Sequence, residues 1–153
     1  MLKEDITDKR KERHSETQED FTPPEILDIM FTGMDEQLYT NFKKTFCDPC
    51  IGTGNIYLYV LERRLKYCKT PNDVYKAIST LYGTELMEDN TEECRERILM
   101  MLLKFSAKHN MNLKDKKIIE ILNHNIVCTD TFKWDYENWG PIKECTSESI
   151  KLF

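Results

Sequence analysis

Two closely spaced glycines, Gly52 and Gly54, stand in the stretch FCDPCIGTGN (46–55), between an apolar segment and a predicted helix. Glycine permits backbone angles closed to other residues and leaves no side chain between the chain and a ligand. The stretch is therefore a candidate ligand-binding turn, suited to a nucleotide-like molecule. Two phosphate-binding patterns do not fit, because Asn55 replaces the Lys-Ser/Thr of a phosphate loop and Tyr57 stands where the dinucleotide pattern needs its third glycine.

Two acidic residues end predicted strands, and they are the second feature that could do chemistry. Glu85 closes the segment 80–84, and Asp130 closes the segment 125–129. An acid at the end of a second parallel strand can accept hydrogen bonds from two ribose hydroxyls. The alternative for Glu85 is an ordinary exposed glutamate. Asp130 could accept from an exocyclic amino group such as that of adenine, although an aspartate that caps a turn explains it nearly as well.

Cysteine is the remaining residue type with possible chemistry. Six cysteines occupy positions 47, 50, 68, 94, 128 and 145. Their scatter through predicted strands and helices, in a chain whose start lacks a secretory signal, favours reduced thiols. A zinc site at Cys47-x-x-Cys50 would need two further ligands at a suitable spacing, and the sequence has no second Cys-x-x-Cys or His pair. We therefore expect no metal site.

Length and charge limit the remaining possibilities. The chain has 153 residues, of which 40% are hydrophobic, and this is enough for one core but hardly for two domains. The 27 acidic and 22 basic residues give a net charge of -5, which works against non-specific attraction to nucleic acid phosphates. No apolar run approaches the roughly 20 residues of a membrane span. We expect a cytoplasmic protein without membrane contact. The net charge does not exclude a local basic patch.

The hydrophobic pattern alternates between helical and strand periods. It predicts helices over 23–31, 56–65, 71–78, 91–109 and 114–122, and strands at 45–47, 80–85 and 125–130. Thr22 and Thr70 are the predicted helix caps, and the basic run 63–66 is interpreted as a solvated helix end. The apolar positions predicted to face inward are 26, 27, 30 and 31, then 98, 99, 102, 103 and 105, then 118, 119, 121 and 122. His124 is expected in a loop.

The two ends of the chain differ from its middle. Residues 1–19 are charged with almost nothing to bury, which predicts a disordered arm, and residues 20–153 are expected to form the domain. The segment 131–141 is expected to be irregular, with Trp134 and Trp139 either stacking on a base or closing the core. Apolar residues at the very end could cover an exposed sheet edge or pair with another copy; these are Ile150, Leu152 and Phe153.

Four stretches, taken in order, carry a family resemblance. They are FTPP (21–24), DPCIGTGN (48–55), YGTELMEDNTEECRERIL (82–99) and NIVCTDTF (125–132). Together they resemble the S-adenosylmethionine-dependent adenine-N6 DNA methyltransferases in which the cofactor half precedes the catalytic loop, over about two-thirds of the chain. The resemblance implies a truncated Rossmann-like methyltransferase fold, a mostly parallel sheet with helices on both faces.

The same resemblance assigns roles to individual residues around S-adenosylmethionine. Thr22 and Pro23 would sit beside the methionine carboxylate. Asp48, Gly52 and Gly54 would face the methionine amine and the ribose. Glu85 would hold the ribose hydroxyls. The adenine would be held by Leu86 packing on it, by Asp130 accepting from its amino group and by Phe132 against the ring.

The family's catalytic loop has no match, so catalytic residues stay unidentified. That loop is Asn/Asp/Ser-Pro-Pro-aromatic and stacks on a flipped base, whereas Asn138-Trp139-Gly140-Pro141 has the wrong order. One hypothesis is adenine-N6 methylation of DNA, with the missing parts supplied by a partner subunit or by an unusual site. A second is a non-catalytic cofactor-binding module that acts as a regulator, a sequestering protein or a subunit of an assembly. A third is a structural remnant whose own side chains fill the pocket.

Overall fold

Prolines set the start of the first helix. The computed structural model describes residues 22–143, and α1 spans Pro24–Met30. Pro23 has φ -63° and ψ 145°, because a residue before a proline is held in the extended region. Pro24 then takes the first helical position, where proline lacks only an N–H that would be unpaired anyway. The predicted cap at Thr22 is therefore wrong by one residue.

Only part of the predicted apolar face of α1 is buried. Leu27 is buried and Phe31 is half-buried, whereas Ile26 and Met30 are exposed. The chain turns away at Gly33, whose φ of +79° lies in the region that favours glycine. The predicted helix over 23–31 is confirmed to within one residue at each end.

The described residues fall into two units that divide between Asp35 and Glu36, and α1 belongs to the first. The second unit alternates helices and strands. Its elements are α2 (Gln37–Thr40), β1 (Phe46–Asp48), α3 (Asn55–Leu65), α4 (Pro71–Ser79), β2 (Leu81–Glu85), α5 (Glu88–His109), α6 (Asp115–Asn125), β3 (Ile126–Cys128), a 3₁₀ turn (Thr131–Lys133), β4 (Trp134–Asp135) and β5 (Gly140–Pro141). The predicted α/β class is confirmed.

The three longer strands form one parallel sheet in the order β1-β2-β3. Asp48 lies opposite Gly83, and Glu85 lies opposite Cys128. Helices make both connections, as parallel neighbours require. The parallel sheet is therefore as predicted. A doubly wound sheet with helices on both faces involves a reversal of strand order, which residues 22–143 do not contain, so that finer feature stays a prediction.

Local sequence signals set the helix ends. At α4 the Thr70 hydroxyl accepts from the Asp73 amide at 3.2 Å, while the Asp73 carboxylate accepts from the Thr70 amide at 2.9 Å. This reciprocal capping box confirms the predicted Thr70 cap. α5 begins with Glu88 and Asp89, whose charges suit the positive end of a helix, and it ends before Asn110 in the left-handed region.

The core draws on every long element of the second unit. Its fully buried apolar side chains are Tyr57, Val60, Leu61, Val74, Ala77, Ile78, Leu81, Cys94, Ile98, Leu102, Ile118 and Ile126. Leu103 and Ile119 are exposed, although they were predicted to face inward. Buried positions on a helix recur every three or four residues, and Leu102 and Ile118 already take the inward positions beside them.

The segment 131–141 is ordered, which the sequence did not predict. β4 and β5 pair as an antiparallel hairpin. The Trp139 indole lies 4.7 Å from the Tyr82 ring, centroid to centroid, and its Nε1 donates to the His124 carbonyl at 2.7 Å. His124 lies in the last turn of α6 and not in a loop. For Trp139, packing against the protein is therefore the interpretation that the structure confirms.

The largest difference between the predicted and the observed fold concerns Arg64, which is not part of a solvated helix end. Its side chain is 0% exposed. It donates to the carbonyls of Leu38 at 2.9 Å, Ala77 at 2.8 Å and Lys44 at 2.6 Å and to the Thr80 hydroxyl at 2.7 Å. Burial lowers the pKa of the guanidinium from its ordinary value, yet four neutral acceptors satisfy it. Arg64 thus ties α2, α3 and α4 together.

Charged residues interrupt the helices of the described part of the chain. α5 is the longest at 22 residues, and it carries acidic and basic side chains along much of its length. Within residues 22–143, the structure contains no helix with the length and apolar content that crossing a membrane requires.

Three predictions fall outside residues 22–143. They concern the charged arm 1–19, Cys145, and the apolar end formed by Ile150, Leu152 and Phe153. Each stays a prediction of the sequence.

Candidate functional site

The candidate site lies at the carboxyl ends of β1 and β2. Because the two strands are parallel neighbours, Asp48 and Glu85 end at the same edge of the sheet. The turn after β1 folds back over β2, since the Ile51 amide donates to the Thr84 carbonyl at 3.0 Å. The predicted turn and the first predicted acid are therefore brought together.

Glu85 holds the glycine turn directly. Its Oε2 accepts from the Gly52 amide at 2.8 Å, and its Oε1 accepts from the Met87 amide at 3.0 Å. An ionised carboxylate has about four acceptor positions on its two oxygens, so two positions stay open. Glu85 is therefore not an ordinary exposed glutamate, because it links β2 to the turn after β1 and is still able to accept from a ligand.

Asp48 is buried and only half satisfied. Its side chain is 8% exposed, its Oδ1 accepts from the Cys50 amide at 3.1 Å, and its Oδ2 has no hydrogen-bond partner among the described residues. Burial raises the pKa of the Asp48 carboxyl, the Cys50 amide opposes this, and the nearby Glu85 carboxylate adds to the rise. The site therefore contains a buried acceptor that would be stabilised by a positively charged or hydrogen-bond-donating ligand group.

Asp48 differs from the other buried polar atoms that lack a partner. Within residues 22–143, those atoms are the Tyr57 hydroxyl, Arg95 Nε and Trp134 Nε1. Tyr57 and Trp134 are neutral groups, and Arg95 donates from another nitrogen to the Ile126 carbonyl at 2.5 Å. An unpaired charged acceptor is costlier to bury than a neutral group, so Asp48 Oδ2 is the one that most needs a partner.

The glycines are required by shape. Gly54 caps the start of α3 with φ +90°, and a Cβ there would lie 2.6 Å from the Cys94 sulfur. Gly52 also has a positive φ, of 56°. In β2, a Cβ on Gly83 would lie 2.4 Å from Ile51 Cδ1, so the turn packs directly on the strand. The contacts at Gly54 and Gly83 require glycine, and the positive φ of Gly52 favours it.

Arg97 holds the far side of the turn, and sequence reasoning missed it. Its Nη1 donates to the Thr53 carbonyl at 2.7 Å, to the Thr53 hydroxyl at 3.1 Å and to Asn55 Oδ1 at 2.9 Å. Arg97 lies among the charges of α5 that the helical pattern assigns to solvent. No local signal marks it, because its acceptors are more than forty residues away in sequence.

A hydroxyl network beneath the turn was also missed. Thr84 is fully buried, and its Oγ1 donates to the Pro49 carbonyl at 2.8 Å. Its Oγ1 also lies 2.9 Å from the Tyr136 hydroxyl, which in turn pairs with Thr131 Oγ1. The available signal was a polar residue inside an apolar strand, since such a residue needs hydrogen bonds when it is buried. The network joins the hairpin to the site.

The remaining second-unit residues lie along the neighbouring strand end. The Thr129 amide donates to the Glu85 carbonyl at 2.7 Å, so the chain leaving β3 runs beside Glu85. Asp130 is half-buried, and its Oδ1 accepts from the Phe132 amide at 2.9 Å, which is the turn-capping alternative. Leu86 is 64% exposed and Phe132 is 88% exposed, so neither side chain packs into the core.

Thr22 and Pro23 belong to the first unit. Thr22 is half-buried and Pro23 is exposed. Their proposed contact with the methionine carboxylate stays an expectation of the resemblance. The residues that the structure brings together around the turn are Asp48, Gly52, Gly54 and Glu85, all in the second unit.

The thiols of Cys47 and Cys50, beside the turn, have raised pKa values. Cys47, Cys50, Cys68, Cys94 and Cys128 are free cysteines. Burial, with Asp48 adding to it, raises the pKa of Cys47 to about 11, and burial also raises the pKa of Cys50. Both thiols are therefore protonated at neutral pH. Within residues 22–143, His, Cys, Asp and Glu side chains form no group of three that could hold a metal ion.

No protein-family model, no curated protein and no solved structure matches this chain. What the site can do follows from its own groups. It offers backbone at two glycines, two carboxylates with open acceptor positions, and exposed apolar side chains at the strand ends. These groups could accept hydrogen bonds from a ligand that carries donors.

Proposed function

We propose that this protein binds S-adenosylmethionine at the carboxyl ends of β1 and β2 and acts in adenine-N6 methylation of DNA. The observation that carries the proposal is Asp48 Oδ2, a buried carboxylate oxygen without a partner among the described residues. The amine of the methionine part would donate to it. A cationic donor at this position would remove the cost of burying the charge.

The other residues fit the nucleoside part of the same ligand. Gly52 puts no side chain between the turn and the ligand, and Gly54 sets the path of the chain into α3. Glu85 keeps acceptor positions for two ribose hydroxyls beside its bonds to Gly52 and Met87. Leu86 and Phe132 present exposed apolar surface for the adenine, next to Asp130 as an acceptor for its amino group.

Bound S-adenosylmethionine would supply an activated methyl group on a sulfonium. Its transfer is a direct displacement, so the chain's own task is to position the donor. Good positioning can remove a large part of the activation free energy. Glu85 would fix the ribose and Asp48 the amino acid part. The acceptor base would be held by groups other than the proposed cofactor residues, from a partner subunit or from an unusual site.

A second candidate is a non-catalytic module that binds the cofactor without transferring its methyl group. The sequence favours it in one respect, since its 153 residues carry the cofactor pattern and no Asn/Asp/Ser-Pro-Pro-aromatic tetrapeptide. Transfer of labelled methyl groups to DNA separates the two candidates. Cofactor binding with no labelled DNA, alone and with candidate partners, would select the module.

The test of the shared step is a calorimetric titration with two ligands. S-adenosylmethionine carries the amine, whereas 5′-methylthioadenosine keeps the nucleoside and lacks the amino acid part. We expect Asp48→Asn to weaken S-adenosylmethionine binding by about tenfold or more and to leave 5′-methylthioadenosine binding unchanged. Glu85→Ala should weaken both ligands, because both carry the ribose.

Folding is checked for each variant by its thermal unfolding. Glu137→Gln, which changes an exposed carboxylate in the hairpin, is the matched control and should bind both ligands like the parent. Equal loss of both ligands in Asp48→Asn would contradict the assignment of the amine to Asp48. Failure of the parent chain to bind either ligand would reject the proposal.

A further inference from the structure

A groove lies between the C-terminal ends of α3 and α5, away from the glycine turn. It has a volume of about 620 Å³, and its lining residues are Glu62, Leu65, Lys66, Cys68, Lys69, Met101, Phe105, Lys108, His109 and Met111. This volume is within the range of about 300–1,000 Å³ that small-molecule sites occupy. The groove can therefore hold a ligand of modest size.

The two helices run side by side in the same direction. Arg97 of α5 contacts Asn55 at the start of α3, and Phe105 and Lys108 line the groove with Leu65 at the end of α3. The groove therefore lies about ten residues further along both helices, or about 15 Å from the turn. A ligand in it would not belong to the proposed cofactor site.

The groove is lined by both apolar and cationic side chains. Leu65, Met101, Phe105 and Met111 supply the apolar surface, and methionines adapt well to ligands of different shape. Burial, with Asp73 adding to it, raises the pKa of the Cys68 thiol to about 12. Cys68 therefore adds no negative charge to the groove.

Three lysines and a histidine outnumber one acid in this groove, although the whole chain carries a net charge of -5. Among the described residues, no carboxylate forms an ion pair with the ammonium groups of Lys66, Lys69 or Lys108. Cations at helix C-termini complement the helix dipole, which accounts for their positions in sequence. That role does not account for the apolar surface between them.

We propose that this groove binds a small amphipathic anion. Its apolar tail would lie against Leu65, Met101 and Phe105, and its carboxylate or phosphate would lie among Lys66, Lys69 and Lys108. The charge of the groove selects the anion, and its apolar walls select a ligand with a tail over an inorganic ion.

The test uses the full chain with methionine methyl groups labelled for NMR. The probes are decanoate and decyl phosphate, with decanol and decyltrimethylammonium as neutral and cationic counterparts. We expect the two anions to shift the Met101 and Met111 signals, assigned by Met101→Leu and Met111→Leu. Whichever anion binds more tightly identifies the head group.

Charge-reversal variants then test the lysines. Lys69→Glu with Lys108→Glu should weaken decanoate binding by about tenfold or more, and Lys69→Ala should weaken it less. Lys43→Glu, an exposed lysine outside the groove, is the matched control and should bind like the parent. Decanol binding as tight as decanoate binding, shifts confined to other methionines, or no shift with either anion would each overturn the proposal. None of these outcomes depends on S-adenosylmethionine.

Discussion

Replacing Asp48 by asparagine should stabilise the protein while it weakens the proposed binding of S-adenosylmethionine. Asparagine keeps the shape of the side chain and an oxygen that can accept from the Cys50 amide, which now donates to Oδ1 at 3.1 Å. The change replaces the unpaired charged Oδ2 by an unpaired neutral group. An unsatisfied buried group costs about 1–3 kcal/mol and more when charged, so a gain of about 1 kcal/mol at pH 7 is expected.

The gain should depend on pH, with a sign fixed by the raised pKa of Asp48. Below its ordinary value of 3.8 the carboxyl is protonated in both the folded and the unfolded chain, so the charge adds no penalty. As the pH rises above that value, the unfolded chain ionises first while the folded chain retains the proton. Stability due to this group therefore falls with rising pH until the folded pKa is passed, and it stays lower above it.

Urea unfolding of parent and variant at several pH values, followed by tryptophan fluorescence, measures this difference. We expect the free energies of unfolding of the two chains to converge near pH 4 and that of the variant to be about 1 kcal/mol higher near pH 7. A thermal melt at pH 7 should show the same difference as a melting temperature about 2–4 °C higher. Glu120→Gln is the control, because that exposed acid lies 4.0 Å from Lys116 and should matter by less than about 0.5 kcal/mol. A variant that is less stable than the parent at pH 7 would refute the reasoning, since Asp48 would then be a structural group.

Three further predictions use the same unfolding assay. Gly54→Ala should lower the free energy of unfolding by about 3 kcal/mol, because of the left-handed backbone and the contact with Cys94. Gly33→Ala, where a Cβ would meet nothing within 4 Å, should lower it by only about 1 kcal/mol, and equal losses would contradict the role of the Cys94 contact. Arg64→Ala should lower the free energy of unfolding by about 3–5 kcal/mol. Arg64→Lys should restore less than half of that loss, because an ammonium cannot reproduce the guanidinium's fork of donors. A loss as small as that of an ordinary surface substitution would exclude the structural role of Arg64. Thr70→Ala should cost about 1 kcal/mol through the lost cap, and an unchanged midpoint would show that the capping box does not contribute.

The parts of the fold predicted correctly are those that short stretches specify. The Thr70 cap needs only Asp73 three residues on, and both are visible in sequence. The segment ending at Glu85 is a strand because its own residues favour one. The glycine turn is also a local signal, since its positive backbone angles favour glycine wherever the rest of the chain lies.

The errors concern residues whose environment comes from distant parts of the chain. Arg64 looks like one of several basic residues at a helix end, but three of its acceptors lie 13, 20 and 26 residues away. The hairpin of β4 and β5 has strands of only two residues, too short for an alternating pattern. Trp139 adopts a positive φ of 50° that its sequence does not suggest, and its ring contacts Tyr82 in the distant strand β2.

Two buried ionic groups show why the candidate site is placed at the strand ends and not elsewhere in the core. Arg64 is fully buried, and each of its nitrogens finds an acceptor within the second unit, so the fold alone accounts for it. Asp48 is nearly as buried, yet one of its oxygens finds no partner among the described residues. Departures from full satisfaction concentrate at functional sites, because selection for binding tolerates a cost that selection for stability removes. The fold alone therefore accounts for Arg64, whereas the proposed ligand contact rests on Asp48.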